Sequence, residues 1–360
     1  MYRPRTPPSP TGRLRWAALS LALLGASGAR ADRASLPWLG PAHSAKSDTT
    51  RAQVNAKCEG CHVEEAQQWR GSLHQNAFKD PLFQRAYTLE PLAFCRGCHA
   101  PEADPAKAPA PELAELGVAC TTCHVEAGSV VTASRVSGRS PHPVKADPAL
   151  ATRNACARCH EFQFPTLPGV AMQSTLSEHR LSTANNRECQ SCHMPLDPRT
   201  NKRTHDFSVL KSPQMIRSGV QVSASRWNAT SIEVTLRPGN IGHAFPTGDL
   251  FRRLELRACV DRGGREVCAP PAHLGRKYRV QTTAQGTLRI PIADTRVAAP
   301  GTAPPSTVRL PFDFDIEGLP VRWSVVYQRA DDAMAKLFSL DQKTDEITVS
   351  SGVLAARATN

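Results

Sequence analysis

After about Lys211 apolar and polar residues alternate with period two. Ile232, Val234 and Leu236 interleave with Glu233, Thr235 and Arg237, and Leu254, Leu256, Ala258 and Val260 interleave with Glu255, Arg257 and Cys259. Further runs follow at Leu288 to Ile292, Val308 to Phe314 and Val321 to Tyr327, with turn residues between them. Alternation puts successive side chains on opposite faces of a strand, so several short runs at this spacing predict an all-β antiparallel sandwich, immunoglobulin-like in type, over residues 211–357.

Upstream the pattern changes. Helices are predicted at Val63 to Phe78, where Trp69, Leu73 and Phe78 share a stripe, and at Ser174 to Leu181, with a Pro-rich loop from Pro101 to Pro111. Aliphatic side chains are sparse between residues 55 and 210, and a segment so poor in core formers does not fold by its own burial. Residues 32–54, with Pro37 and Pro41 among small and polar neighbours, read as an N-terminal arm.

Residues 1–31 read as a secretory signal peptide. Arg3, Arg5, Arg13 and Arg15 precede an apolar run from Trp16 to Ala26, and Ala29-Arg30-Ala31 supplies small residues for cleavage. No later segment reaches the roughly 20 apolar residues of a spanning helix. The expected mature protein is therefore periplasmic, with no transmembrane segment and with no cysteine near the cleavage point to carry a lipid.

Ten of the twelve cysteines explain what fills residues 55–210. They fall in five Cys-x-x-Cys-His segments: Cys58, Cys61 and His62; Cys95, Cys98 and His99; Cys120, Cys123 and His124; Cys156, Cys159 and His160; Cys189, Cys192 and His193. This is the attachment signature of c-type haem. Two thiols three residues apart form thioethers to the two vinyl groups of one porphyrin, and the next imidazole binds its iron from the proximal side. Zinc ribbons also pair cysteines, but they do not require a histidine after every pair. A thioredoxin-like site needs one such pair on a strand-to-helix turn, which these surroundings lack. The macrocycles of five haems would supply the apolar surface this segment is missing, giving a mostly α, haem-packed domain.

The last two cysteines lie on the predicted sheet. A two-residue turn at Gly263 and Gly264 sets Cys259 opposite Cys268 as a non-hydrogen-bonded pair, close enough for a cross-strand disulfide.

The formal charge of +12 suggests nucleic acid, but five arginines leave with the signal peptide, and the haem propionates take the oxidised protein close to neutrality. Charge therefore names no partner.

Seven histidines are left for the distal side of the irons. His74, His142, His179, His205 and His243 are the candidates, while His43 lies in the arm and His273 in a Pro-rich loop. His243 is set apart from the others. It belongs to Asn240-Ile-Gly-His-Ala-Phe-Pro-Thr-Gly248, a shaped loop between strands that can reach back to an iron.

The run from Cys58 through Trp69, Ser72 and His74, then Cys120-Thr-Thr-Cys-His124 with His142, then Cys189-Gln-Ser-Cys-His-Met-Pro195, resembles the multihaem cytochromes c related to the tetrahaem electron acceptor of hydroxylamine oxidoreductase. The resemblance covers roughly Lys57 to Phe207. The Gly-His-Ala-Phe-Pro-Thr-Gly loop resembles one in multihaem cytochromes with a C-terminal β domain. The resemblance implies closely stacked haems, mostly bis-histidine, wired as an electron path, with one open iron in some members. Five motifs instead of four prevent a haem-by-haem transfer of ligands.

Two functions follow as expectations. One is electron transfer between periplasmic or membrane-bound redox proteins. The other is oxidation or reduction of a small nitrogen or sulfur compound at one five-coordinate haem, although no lysine replaces a proximal histidine and only Tyr87 of the four tyrosines lies in the haem segment. A sandwich that docks a partner is compatible with either.

Overall fold

A computed structural model describes residues 48–135, 138–164, 167–207, 212–283, 286–339 and 346–357. The expected signal peptide, residues 32–47 of the arm, His43 and the boundary at residue 210 lie outside them. The rest of the arm is helical: α1 (Asp48–Cys61) runs directly into the first motif.

The helical half consists of short pieces. α2 (Val63–Trp69), α3 (Pro81–Leu89), α4 (Ala93–His99), α5 (Pro111–Ala114) and α6 (Cys120–His124) lead into a small sheet of β1 (Val125–Glu126), β2 (Ser129–Thr132) and β3 (Val144–Ala146). α7 (Asn154–His160), the hairpin β4 (Glu161–Phe164) and β5 (Leu167–Ser174), α8 (Thr175–Leu181) and α9 (Gln190–His193) follow. The helix expected at Val63 to Phe78 stops at Trp69. Gly71 takes φ +71°, and the Ser72 amide bonds the Trp69 carbonyl at 3.0 Å, so the chain breaks into turns before His74. The Trp69 indole donates to the Val118 carbonyl at 2.8 Å, and Ser72 is fully buried, which fixes that break.

The alternating half forms two antiparallel sheets after α10 (Pro213–Ser218). The smaller is β12–β7–β6, built from β6 (Val220–Asn228), β7 (Ser231–Pro238) and β12 (Ser306–Pro311). The larger has the order β11–β10–β8–β13–β14, with β9 also on β8. Its strands are β8 (Arg253–Asp261), β9 (Glu266–Cys268), β10 (Ala272–Thr283), β11 (Gly286–Asp294), β13 (Val321–Gln328) and β14 (Ile347–Leu354). Ile232, Val234, Leu236 and Leu310 of one sheet share a buried cluster with Leu254, Leu256, Ala258, Val260, Val321 and Val325 of the other. Strands β6, β10 and β14 lack a clean sequence signal because their outer positions also carry apolar residues such as Val280 and Val353.

Gly263 and Gly264 take φ +67° and +83°, a pair of left-handed residues that a two-residue hairpin turn demands. Arg262 donates to the Arg265 carbonyl at 2.8 Å, Cys259 pairs with Cys268 in register, and the two are joined as a disulfide.

The halves lie in one compact unit and meet through ion pairs. Arg329 pairs with Asp80 at 2.8 Å, Arg289 with Glu90 at 2.9 Å, and Arg296 with Glu178 at 2.6 Å. α11 (Asp332–Phe338) follows β13, and its Ala335, with Ala330, packs on Leu82 of α3. No helix among the described residues is long and apolar enough to cross a membrane.

Candidate metal centres

Each Cys-x-x-Cys-His segment sits on a helical turn. His62 and His193 close i to i−4 bonds to the carbonyls of Cys58 and Cys189, at 2.8 and 3.0 Å. On such a turn residues i, i+3 and i+4 share a face, so both thiols and the imidazole of a motif point the same way. The ten cysteines are unbonded thiols here. Burial raises the Cys58 and Cys95 thiols, and pushes Cys120 up to about 12 and Cys123 up to about 11.

Four of the five motif imidazoles face a second imidazole. The ring centres of His62 and His142 are 6.4 Å apart, His74 and His160 6.3 Å, His124 and His205 6.2 Å, and His193 and His243 6.3 Å. Two imidazoles ligating one metal from opposite sides, through bonds of about 2.0 Å, have centres about 6.3 Å apart. The spacing therefore fits an iron between each pair, and hence a haem.

Proton placement agrees. The Nδ1 atoms of His99, His124, His205 and His243 face the carbonyls of Ala77, Val131, Arg203 and Ala244 at 2.6 to 3.0 Å. A carbonyl only accepts, so each Nδ1 carries the proton and Nε2 keeps its lone pair for a metal. Burial lowers His99, His205 and His243, and with neighbouring imidazoles takes His74 to about 3 and His193 to about 4. These rings are neutral at pH 7, as ligation requires.

His160 combines surface exposure with a pKa lowered to about 4, first by desolvation and then by Arg252, His243 and His99.

His179 departs from the sequence expectation. Among the described residues it faces no motif imidazole. Its Nδ1 lies 3.2 Å from the Arg153 guanidinium, which only donates, so the proton belongs on Nε2, and that edge lies against Gly242. It has the wrong tautomer to ligate through Nε2 and acts as a buried acceptor. His273 bonds the Glu255 carboxylate at 3.0 Å, well inside the ionic network of the larger sheet.

His99 is the motif histidine without an imidazole opposite it among the described residues. The Phe83 ring stacks on it at 3.7 Å and 8°. α3 carries Phe83, and the Asp80 side chain accepts from its amide at 3.1 Å.

The imidazoles that face the motif histidines come from four different places. His74 sits in the turns after α2, His142 between β2 and β3, and His205 beyond α9, where its amide donates to Gln68 of α2 at 2.8 Å. His243 lies between β7 and β8, in the alternating half. Its loop is held by Glu178 of α8, which accepts the Ala244 amide at 3.1 Å, Ser174 at 2.8 Å and Arg296 at 2.6 Å. Glu178 and Phe83 have no signature in the sequence, because their roles depend on contacts between segments far apart in the chain.

The motifs are also close to one another. The thiols of Cys98 and Cys159 lie near each other, as do those of Cys156 and Cys189. Cys123 lies near Cys159, and Cys58 near Cys120.

Residues 57–125 match the family model described as cytochrome c554 and c-prime. Over most of its length the chain is similar in fold to a solved penta-heme cytochrome c552 from Thermochromatium tepidum. The TM-score is 0.65 at 20% identity, covering 82% of this chain and 97% of that one. No curated protein matches. The two findings support a multihaem c-type cytochrome with redox partners.

Proposed function

We propose that the chain is an exported, periplasmic cytochrome c that moves electrons between periplasmic or membrane-bound redox proteins through five covalently attached haems. Four imidazole pairs spaced 6.2 to 6.4 Å apart carry this reading. Bound haem supplies a one-electron couple, and two histidines close its iron to substrate. The residues that would hold the groups are the ten motif cysteines, the proximal His62, His99, His124, His160 and His193, and the distal His142, His205, His74 and His243. Residues 55–210 then form the haem domain, and residues 211–357 an immunoglobulin-like sandwich that contributes His243.

The neighbourhood of the thiols favours a branched path. Cys159 of the fourth motif lies near Cys98 of the second and Cys123 of the third, Cys156 lies near Cys189 of the fifth, and Cys58 of the first lies near Cys120 of the third. Electrons entering at the first motif would pass the third before dividing at the fourth.

A second reading rests on His99. With no imidazole opposite it among the described residues, the second haem would be the place for chemistry on a small nitrogen or sulfur compound. The intact mass of the exported chain tests the main reading. Five haem additions support it, and four or fewer would contradict it.

A further inference from the structure

Buried donors without acceptors gather where the larger sheet meets α3. Tyr327, in β13, is 1% exposed, and its O–H finds no acceptor among the described residues, while the Arg252 guanidinium stands beside the phenol oxygen as a donor. Arg329 gives one terminal nitrogen to both Asp80 oxygens at 2.8 Å, while its Nε is buried and unpaired. Arg252 donates to Asp249 at 2.8 Å and to the Thr247 carbonyl at 3.1 Å. Gly248 makes room for it: a Cβ there would approach the guanidinium to 2.6 Å. Arg252 also acts on the Tyr327 phenol, which burial raises and the guanidinium pulls back down.

This cluster lies beside the second and fourth motifs. Asp80 caps the helix whose Phe83 stacks on His99, Asp80 and Asp249 act on His99, and Arg252 acts on His160. An unmet buried donor costs more than a made hydrogen bond gains, so two at one seam call for an acceptor. The neighbouring guanidinium favours an anionic one.

We propose that Tyr327, the Arg329 Nε and Arg252 form a buried oxyanion site that holds a carboxylate-type ligand. The inference rests on haem attachment. Two sources share this chemistry: a propionate of the second or fourth haem, or a small free oxyanion that reaches the His99 iron. In either case residues of the sheet set the charge around a haem that they do not ligate.

The test uses the holoprotein, with Tyr327→Phe and, independently, Arg329→Lys, which keeps the Asp80 ion pair but loses Nε. Spectroelectrochemical titration without small anions and absorbance titrations with sodium formate and sodium nitrite are run on each. If a propionate is held, removing a donor leaves its charge less compensated and favours the ferric state. One of five midpoints then falls by about tenfold in the reduction equilibrium, about 59 mV for one electron. If a free anion is held, the midpoints stay and formate or nitrite affinity falls at least tenfold. Unchanged midpoints together with unchanged anion titrations in both variants would overturn the site. Haem stoichiometry is read on the same samples: missing haem counts against the haem reading, whereas five haems with unmoved midpoints and affinities count against this site.

Discussion

The two halves of the chain are held together by different means. Between the two sheets twenty buried residues form one apolar cluster, with Ile232, Leu236, Leu254, Leu256 and Leu310 fully buried. The helical half has nothing comparable among the described residues: Ala100, Ala103 and Leu113 form one small group, and Leu82 packs against alanines of the other half. In place of a core it has imidazoles facing one another across gaps of an iron's width. One half is folded by burial, and the other, on the proposed function, by haem.

Withholding haem breaks this comparison most completely. In a strain lacking the haem-attachment machinery, we expect the helical half to remain unfolded. Limited proteolysis should then leave a protected fragment close to residues 212–357, and circular dichroism should show strand with little helix. A fully protease-resistant apo chain would mean that the helical half has a core of its own.

In the alternating half the equivalent blow is cavity formation. Leu256→Ala removes a fully buried side chain, with an expected cost of about 2–5 kcal/mol. Denaturant unfolding followed by far-ultraviolet signal checks this, and the haem spectrum should survive until the sheets unfold.

Gly117→Ala probes how one distal ligand is held. Gly117 takes φ +53°, and a Cβ there would lie 2.4 Å from the His74 and Gln75 carbonyls. We expect the low-spin signal assigned to the His74 and His160 pair to shift or broaden while the other signals persist.

Glu178→Gln should act more locally, on the His243 loop. Burial raises the Glu178 carboxyl, but Arg296, Ser174 and Arg276 together outweigh it and leave the pKa below the ordinary 4.5. A carboxyl with a depressed folded pKa contributes stability above its unfolded pKa and loses it as pH falls through the folded value. Acid titration of the wild type should therefore perturb the His193 and His243 signal below about pH 4.5. Glu178→Gln should weaken that acid dependence and show a perturbed signal at neutral pH. The smallest effect belongs to His179→Gln, for which we expect no change in the number of bis-imidazole signals.

Legibility followed the same division. Period-two alternation revealed β7, where Ile232, Val234 and Leu236 are buried on one face, and β8, where Leu254, Leu256, Ala258 and Val260 are, and it revealed β13 although Val325, Val326, Tyr327 and Gln328 are all buried there. The five Cys-x-x-Cys-His segments stand out in the sequence because the proposed thioether attachment fixes their spacing locally. Distal partners do not. His74 faces His160 across the chain, and His142 faces His62 instead of the nearer third motif, so sequence order carries no pairing information. His179 looked equivalent to the others until its neighbour, Arg153, determined its tautomer. The stacking of Phe83 on His99 was likewise invisible, because it depends on the folding of α3.

Low-temperature electron paramagnetic resonance of the oxidised holoprotein, with spins quantified per haem, tests the central claim directly. The account predicts four low-spin bis-imidazole signals and a fifth centre without imidazole on its distal side, assigned to His99 by its response to Phe83→Ala. Five bis-imidazole signals would contradict the ligand set, and fewer than four would contradict the pairing itself.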